Sequence, residues 1–66
     1  MQKERVLVTG ASGFIGSNLL DYLLEKDYEV IGLSRQKNLS KIHPHLIWIQ
    51  TLDELKHDRI DYVVNL

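Results

Sequence analysis

Short apolar runs alternate with a longer stretch of helical spacing along the chain. The first run, Val6-Leu7-Val8, is continuously apolar, as in a central strand of a parallel sheet covered on both faces, and predicts a strand over residues 4–9. From Phe14 to about Lys26, apolar residues recur at steps of three to five positions, which predicts an amphipathic helix. A second strand is predicted at residues 28–34, which completes a β-α-β unit with parallel strands.

Polar residues mark both ends of the predicted helix. Ser12 stands just ahead of its first turn, where capping side chains are common. Asp27 follows its last turn, and aspartate tolerates the left-handed backbone conformation that often ends a helix. We therefore expect the helix to begin after Ser12 and to stop at Asp27.

The remaining elements are shorter. A third strand is predicted at residues 46–49. Thr51 and Glu54 have the spacing of a capping box, which predicts a short helix reaching about His57. A fourth strand is predicted at residues 61–66. Because a buried strand seldom ends a complete domain, the sequence indicates a domain cut after this strand.

Length and composition narrow the class of protein. The 66 residues form one domain at most, and a globule of this size buries only roughly 60% of its unfolded surface, so its stability should be marginal. There is no cysteine, which excludes disulfides and thiolate zinc sites. Eight Lys and Arg against nine Asp and Glu give a net charge of −1, which offers no electrostatic case for nucleic acid or a membrane surface. No apolar run has membrane-spanning length, and the first strand leaves no room for a signal peptide, so we expect a cytoplasmic protein.

Three glycines join the first strand to the helix. Gly10, Gly13 and Gly16 have the spacing that lets backbone amides and a helix N-terminus approach a pyrophosphate. We expect Gly10 to permit the tight exit from the strand, Gly13 to leave room for the phosphates, and Gly16 to let the helix pack closely on the sheet. The alternative is that the glycines serve a purely structural turn.

The turn carries a family resemblance. Its sequence, Thr9-Gly10-Ala11-Ser12-Gly13-Phe14-Ile15-Gly16, resembles the signature of the extended short-chain dehydrogenase/reductase family, whose members bind NAD or NADP and include nucleotide-sugar epimerases and dehydratases. Residues 61–66 resemble the family's fourth strand. The resemblance implies an α/β fold, the N-terminal half of a doubly wound parallel-sheet Rossmann fold with strand order 3-2-1-4. Residues 1–66 would then be a partial NAD(P)-binding domain, truncated after the fourth strand.

Further cofactor contacts follow from this architecture. We expect Ser12 to bind the cofactor as part of the turn, and Phe14 and Ile15 to supply amides at the helix N-terminus while their side chains pack. The carboxyl end of the fourth strand faces the cofactor, which adds Leu66 to the predicted site. Asn65 could contact the nicotinamide-side ribose, or a truncated end could leave it disordered.

The end of the second strand bears on the choice of cofactor. An acidic residue there would accept hydrogen bonds from the ribose of NAD, whereas the 2′-phosphate of NADP needs a neutral residue and a cation. The sequence has Ser34 and Arg35 at this point, and a guanidinium can meet a phosphate with two hydrogen bonds. NADP is therefore the first choice and NAD the second. Alternatively, Arg35 begins a solvated basic loop with Lys37 and Lys41, or those lysines form an auxiliary phosphate patch.

No catalytic residue is predicted. Family members use a Tyr-x-x-x-Lys pair on a later helix, and Tyr22 and Lys26 reproduce the spacing on the wrong helix, so we interpret them as a surface pair. The segment His43-Pro44-His45 is interpreted as loop rather than metal site, and Trp48 as a core residue rather than a stacking platform.

Three functions remain open. The resemblance favours the NADP-binding segment of a nucleotide-sugar epimerase, dehydratase or reductase, in which a small-molecule substrate is bound only by the full-length parent and hydride chemistry lies outside these residues. The first alternative is a non-catalytic NADP-sensing module. The second is a truncated fragment that binds nothing and self-associates through its exposed sheet.

Overall fold

Four strands and one α-helix form the framework of the chain. The computed structural model describes residues 3–35, 41–55 and 59–66. The elements in chain order are β1 (Arg5–Thr9), α1 (Phe14–Glu25), β2 (Glu29–Leu33), β3 (Leu46–Ile49), a 3₁₀ turn (Leu52–Glu54) and β4 (Tyr62–Asn65). Each predicted strand and the predicted main helix are present, with ends that differ by at most one residue.

The strands form one parallel sheet in the order β3-β2-β1-β4, which confirms the predicted order. The register pairs Thr9 with both Leu33 and Asn65, and Leu33 with Ile49. All four strands therefore end level with one another. Their carboxyl ends meet along a single edge of the sheet, where ligands bind in open α/β sheets.

Helix α1 covers one face of the sheet. The core on this face consists of buried aliphatic residues from both layers, namely Val6, Val8, Ala11, Leu20, Leu23, Val30 and Leu46. Among them Val8, Ala11 and Leu20 are completely buried. Helix α1 connects the parallel strands β1 and β2, so it must cross back over the sheet between them. Its apolar side packs on this face of the sheet and shields the face from water.

The opposite face has a smaller apolar cluster. Leu7, Ile31 and Ile49 are buried there, with Leu55 and Ile60 packed against them. Their burial explains why β1 and β2 are apolar at consecutive positions rather than alternating, since each strand contributes to both faces.

Trp48 packs against the helix-side core, as predicted. It lies opposite Gly32 in the β2–β3 register. A Cβ at Gly32 would come within 2.7 Å of the indole ring, so the absence of a side chain makes room for the tryptophan. The indole N–H donates to the Lys41 carbonyl oxygen at 2.9 Å, which satisfies the polar atom of this partly buried ring.

The two ends of α1 differ in how well the sequence predicted them. Asp27 has φ of +73°, as expected for a left-handed residue after the helix. The prediction for Ser12 was wrong, because the N-cap residue is Gly13 and no side chain caps the helix there. The helix itself begins at Phe14, as predicted. The cap position is therefore one residue after Ser12, and the backbone N–H of Ser17 donates the first helical hydrogen bond to the Gly13 carbonyl oxygen at 2.8 Å.

The predicted second helix is shorter than expected. The capping box between Thr51 and Glu54 forms, but the helical residues that the structure describes are the single turn Leu52–Glu54. None of these three residues is buried, and short helices depend on packing for most of their stability. The predicted end at His57 lies outside the described residues. Within the described part of the chain, no helix has the length and apolar character needed to cross a membrane.

Candidate functional site

The glycine-rich turn leaves the carboxyl end of β1 through a left-handed residue. Gly10 has φ of +67°, a conformation that costs an L-residue steric strain. The backbone N–H of Gly13 donates to the Gly10 carbonyl oxygen at 3.3 Å and closes the turn. The expected role of Gly10 in a tight exit from the strand therefore agrees with the geometry.

Gly16 and Gly13 stand in different surroundings. A Cβ at Gly16 would lie 2.5 Å from the Gly10 carbonyl oxygen and 2.8 Å from the Cα of Ala11. The first turn of α1 thus presses directly on the backbone of the glycine turn, rather than on the strands as expected. A Cβ at Gly13 would have only the Gly10 carbonyl oxygen nearby, at 3.6 Å, so the space beside Gly13 is open.

The N-terminus of α1 opens at this turn. The backbone N–H groups of its first residues have no partner within the helix, and the helix dipole adds positive potential there. The prediction that the side chains of Phe14 and Ile15 pack was wrong, because they are 84% and 69% exposed. Gly16 is the residue of this helical turn that faces the backbone of the glycine turn, so the two preceding residues face away from it.

A cleft of about 540 Å³ lies at the carboxyl edge of the sheet. Four predicted cofactor-binding residues line it, namely Gly10, Ser12, Ser34 and Arg35, together with Leu33 and the segment Gln50, Thr51 and Leu52 after β3. The level ends of β1, β2 and β3 bring these residues together. The cleft thus joins the glycine turn to the end of β2 in one open space.

Ser34 and Arg35 form the middle of the cleft. Ser34 is buried, with 7% exposure, and its backbone N–H donates to the Ile49 carbonyl oxygen at 2.9 Å, which extends the β2–β3 pairing by one bond. Arg35 is exposed, and in the described part of the chain no carboxylate pairs with its guanidinium. The buried Ser34 is thus followed directly by a solvent-accessible cation, Arg35, at the cleft.

Lys41 is neither a solvated loop residue nor part of a phosphate patch in this structure. Its ammonium donates to the Asp21 carboxylate of α1, and its side chain is only 25% exposed. The carbonyl of Lys41 also accepts the Trp48 indole N–H. Lys41 therefore links the segment before β3 to helix α1. Lys37, the other lysine of the predicted basic loop, lies outside the described residues.

The carboxyl end of β4 is held against β1 by a threonine. The Thr9 hydroxyl donates to the Asn65 side-chain oxygen at 2.6 Å and accepts the Leu66 backbone N–H at 3.3 Å. The alternative of a disordered Asn65 is thereby overturned, because Asn65 is a paired strand residue. Leu66 lies close to Gly10, since a Cβ on Gly10 would be 3.4 Å from the Leu66 Cβ.

Gln50, Thr51 and Leu52 form a wall of the cleft that the sequence reasoning missed. The Glu54 carboxylate accepts the backbone N–H groups of Gln50 at 2.6 Å and Thr51 at 3.0 Å. These two bonds hold the pKa of the Glu54 carboxyl below its ordinary value. The signal available in the sequence was the strand order, because β3 beside β2 places the residue after Ile49 next to Ser34.

The residues set aside as non-catalytic lie away from this edge of the sheet. Tyr22 is 57% exposed on α1, and the Lys26 ammonium lies 5.6 Å from the centre of its ring, which confirms a surface pair. His43 accepts the His45 backbone N–H through Nδ1 at 3.0 Å. Both histidines precede β3, at the opposite edge of the sheet from the glycine turn.

Comparison with known proteins identifies the family. The NAD dependent epimerase/dehydratase family matches residues 6–66. The chain belongs to this family. The predicted resemblance is therefore confirmed. A dihydroflavonol 4-reductase from Arabidopsis thaliana is 55% identical to it over 47 residues, which cover 70% of this chain and 12% of the reductase.

Solved structures of family enzymes superpose on the chain. The dTDP-glucose 4,6-dehydratase of Bacillus anthracis, in complex with NAD, is 25% identical with a TM-score of 0.77, over 96% of this chain and 26% of the dehydratase. The Bordetella bronchiseptica enzyme WbmH, in complex with NAD⁺, is 31% identical with a TM-score of 0.62, over 73% of this chain and 18% of that enzyme. The described fold is thus a Rossmann-like α/β unit, and the chain spans about a quarter or less of each of these proteins.

Proposed function

We propose that the chain binds NADP and forms the NADP-binding part of a nucleotide-sugar epimerase, dehydratase or reductase. The observation that carries the proposal is the single cleft that connects the glycine turn to Arg35. A dinucleotide needs a phosphate-binding end and a ribose-binding end within one continuous space, and this cleft offers both.

The glycine turn is the proposed pyrophosphate site. The space beside Gly13 is open, and the helix N-terminus directly behind it presents unpaired N–H groups. Gly10 and Gly16 keep the turn compact, so that the phosphates can approach the backbone. Ser12 adds a hydroxyl on the wall of the same cleft.

Arg35 is the proposed partner of the 2′-phosphate. It stands one residue beyond the neutral Ser34 at the end of β2, and its guanidinium pairs with no carboxylate of the described residues. A guanidinium attracts a phosphate and gains little from a neutral ribose hydroxyl, which favours NADP over NAD. NAD is the second choice, because both family enzymes compared above were solved with NAD.

The reaction of the whole protein is inferred from the family. We propose hydride transfer to and from the nicotinamide during redox or epimerisation of a small-molecule substrate. Within the described residues, the one Tyr-x-x-x-Lys spacing is the surface pair of Tyr22 and Lys26, so we assign the chemistry to residues other than these. The proposed contribution of this chain is therefore cofactor binding.

Calorimetric titration of the chain with NADP and NAD tests the proposal. We expect NADP to bind more tightly than NAD. Arg35→Ala should weaken NADP binding by tenfold or more, because a charge-assisted hydrogen bond is worth about 1.5–3 kcal/mol, and should change NAD affinity by less than about threefold. Lys26→Ala is the matched control, since it removes the same charge from an exposed site on α1 and should leave both affinities unchanged.

Circular dichroism of each variant establishes that the titrated protein is folded. A folded chain that gives no heat with either dinucleotide would overturn the binding proposal. A clear preference for NAD, or equal losses in the Arg35 and Lys26 variants, would leave dinucleotide binding standing and overturn the role of Arg35.

A further inference from the structure

The third wall of the cleft is a short segment that follows β3. It consists of Gln50, Thr51 and Leu52, which leave β3 at the level of Ser34. The segment is exposed, so core packing does not fix its conformation. Something other than burial must hold its backbone in place.

Glu54 supplies that restraint. One carboxylate oxygen, Oε2, accepts both the Gln50 N–H at 2.6 Å and the Thr51 N–H at 3.0 Å. The second bond belongs to the capping box that opens the 3₁₀ turn. Glu54 does not itself line the cleft, whereas both residues it binds do.

We propose that Glu54 is a positioning residue for the cofactor, whose carboxylate fixes Gln50 and Thr51 as the wall that receives the adenosine half of the dinucleotide. The inference rests on the proposed function. The adenosine half is assigned because the 2′-phosphate proposed for Arg35 is carried by the adenosine ribose, and the wall continues from Arg35 away from the glycine turn. The same two hydrogen bonds lower the pKa of the Glu54 carboxyl, because an ionised carboxylate accepts them better than a protonated one.

Glu54 is therefore expected to affect cofactor affinity indirectly, through the backbone of Gln50 and Thr51. With both amides bound to Glu54, the wall is set before the ligand arrives, and the ligand does not bear the entropy cost of ordering it. Without the carboxylate, that cost appears as weaker binding. Loss of a cap of this kind corresponds to about a fivefold to tenfold change in affinity.

Titration with 2′,5′-ADP, which contains the adenosine half and its 2′-phosphate alone, tests the inference. Glu54→Ala should weaken binding about fivefold to tenfold. Glu54→Gln should bind within about threefold of the original chain, because glutamine also serves in capping boxes. Asp53→Ala is the matched control: it removes a carboxylate from the adjacent exposed position, and Asp53 is not the acceptor of either amide.

Amide NMR spectra of the unsubstituted chain supply a measurement that does not depend on a variant folding. The Gln50, Thr51 and Leu52 signals should shift on addition of 2′,5′-ADP. Full affinity in Glu54→Ala, equal losses in Asp53→Ala, or unmoved wall signals while the glycine-turn signals shift would overturn the positioning role and leave NADP binding intact. No binding of 2′,5′-ADP or NADP by the unsubstituted chain would overturn both proposals.

Discussion

Gly13, the N-cap residue, and Gly16, in the first turn of α1, lie in the same glycine-rich segment but meet different surroundings. At Gly16 a Cβ would come within 2.5 Å of a carbonyl oxygen and 2.8 Å of a Cα, and backbone atoms cannot swing aside as a flexible side chain can. At Gly13, whose φ is −76°, a Cβ would meet only an ordinary contact at 3.6 Å. The fold therefore requires glycine at position 16, whereas at position 13 it leaves space for a ligand.

Alanine at the two positions should therefore separate stability from binding. Gly16→Ala is expected to lower the free energy of unfolding by about 1–3 kcal/mol, because the added methyl overpacks the contact between helix and turn. Gly13→Ala should change it by less than about 0.5 kcal/mol. Urea unfolding measures both, and equal stabilities would contradict the close approach at Gly16.

A larger side chain at Gly13 tests whether the pyrophosphate lies in the space beside this residue. Gly13→Val should abolish NADP binding by filling the volume assigned to the pyrophosphate, and its far-ultraviolet circular dichroism should match that of the unsubstituted chain. Calorimetric titration gives the affinity. NADP affinity that survives this substitution would show that the phosphates do not lie beside Gly13.

At the scale of elements, β4 is joined to β1 by side chains at both ends of the pair. At the amino end, the Arg5 backbone N–H donates to the Asp61 carboxylate at 2.8 Å. At the carboxyl end, the Thr9 hydroxyl bonds both Asn65 and Leu66. These bonds matter because β4 buries little apolar surface of its own, with Tyr62 and Val63 both more than half exposed.

A double-mutant cycle at Thr9 and Asn65 measures the carboxyl-end bond. Thr9→Val and Asn65→Ala should each destabilise the chain by about 0.5–1.5 kcal/mol, and the double variant should lose less than the sum, because both remove the same bond. Thr9→Val should cost more, since it also deprives Leu66 of its acceptor. Asn18→Ala, on the exposed face of α1, is the control. Strictly additive losses would show that the two side chains are not coupled.

At the scale of the whole molecule, the fold lowers the pKa of two exposed carboxylates, Asp27 and Glu54. The Asp27 carboxylate after α1 accepts a hydrogen bond from the Lys3 ammonium at 2.8 Å, and that bond and charge lower its pKa. Glu54 has its pKa lowered by the backbone N–H groups of Gln50 and Thr51. Both groups therefore bind protons less readily in the folded chain than in the unfolded chain.

This linkage sets the direction of the acid response. The stabilisation from each group is complete above its unfolded pKa, 4.5 for Glu54 and 3.8 for Asp27, and is lost as the pH falls through the lower folded value. The free energy of unfolding should therefore fall as the pH is lowered below these values, as measured by urea unfolding across that range. Glu54→Gln should flatten part of this dependence, and Asp53→Asn should flatten it less. Identical pH profiles for all three proteins would contradict the linkage.

Salt distinguishes the two contributions. The ion pair of Lys3 and Asp27 is exposed on its carboxylate side, with 80% side-chain exposure, so added salt should screen it. The bonds of Glu54 to backbone amides involve no second full charge and should resist salt more strongly. The part of the acid response that survives high salt is thus expected to belong to Glu54.

The order of elements was predictable because each depends on local sequence. The apolar run Val6-Leu7-Val8 predicts a buried parallel strand, and the spacing of apolar residues from Phe14 onward predicts a helix. Both predictions use only neighbouring residues in the chain. Gly10, Gly13 and Gly16 are specific for a turn between such elements, and this led to the family and to strand order 3-2-1-4. The left-handed residue at Asp27 was likewise a local property.

Contacts between distant residues were not predictable in this way. Phe14 and Ile15 are exposed because α1 is rotated about its axis so that Gly16 faces the glycine turn. This rotation is set by tertiary packing and not by the types of residue at positions 14 and 15. The ion pair of Lys41 with Asp21 depends on where the approach to β3 meets α1. The predicted strand order placed β3 beside β2, but only the register of that pair shows that Gln50 and Thr51 follow β3 at the level of Ser34.

The sequence by itself therefore determined a parallel α/β unit with a glycine turn at its first crossover, because strand, helix and turn preferences act over a few neighbouring residues. Only the tertiary structure decided which residues share the cleft, because the level ends of β1, β2 and β3 are set by the register of the whole sheet. That register places Arg35 and the Glu54-held wall on one side of the glycine turn, and Thr9 with Asn65 on the other.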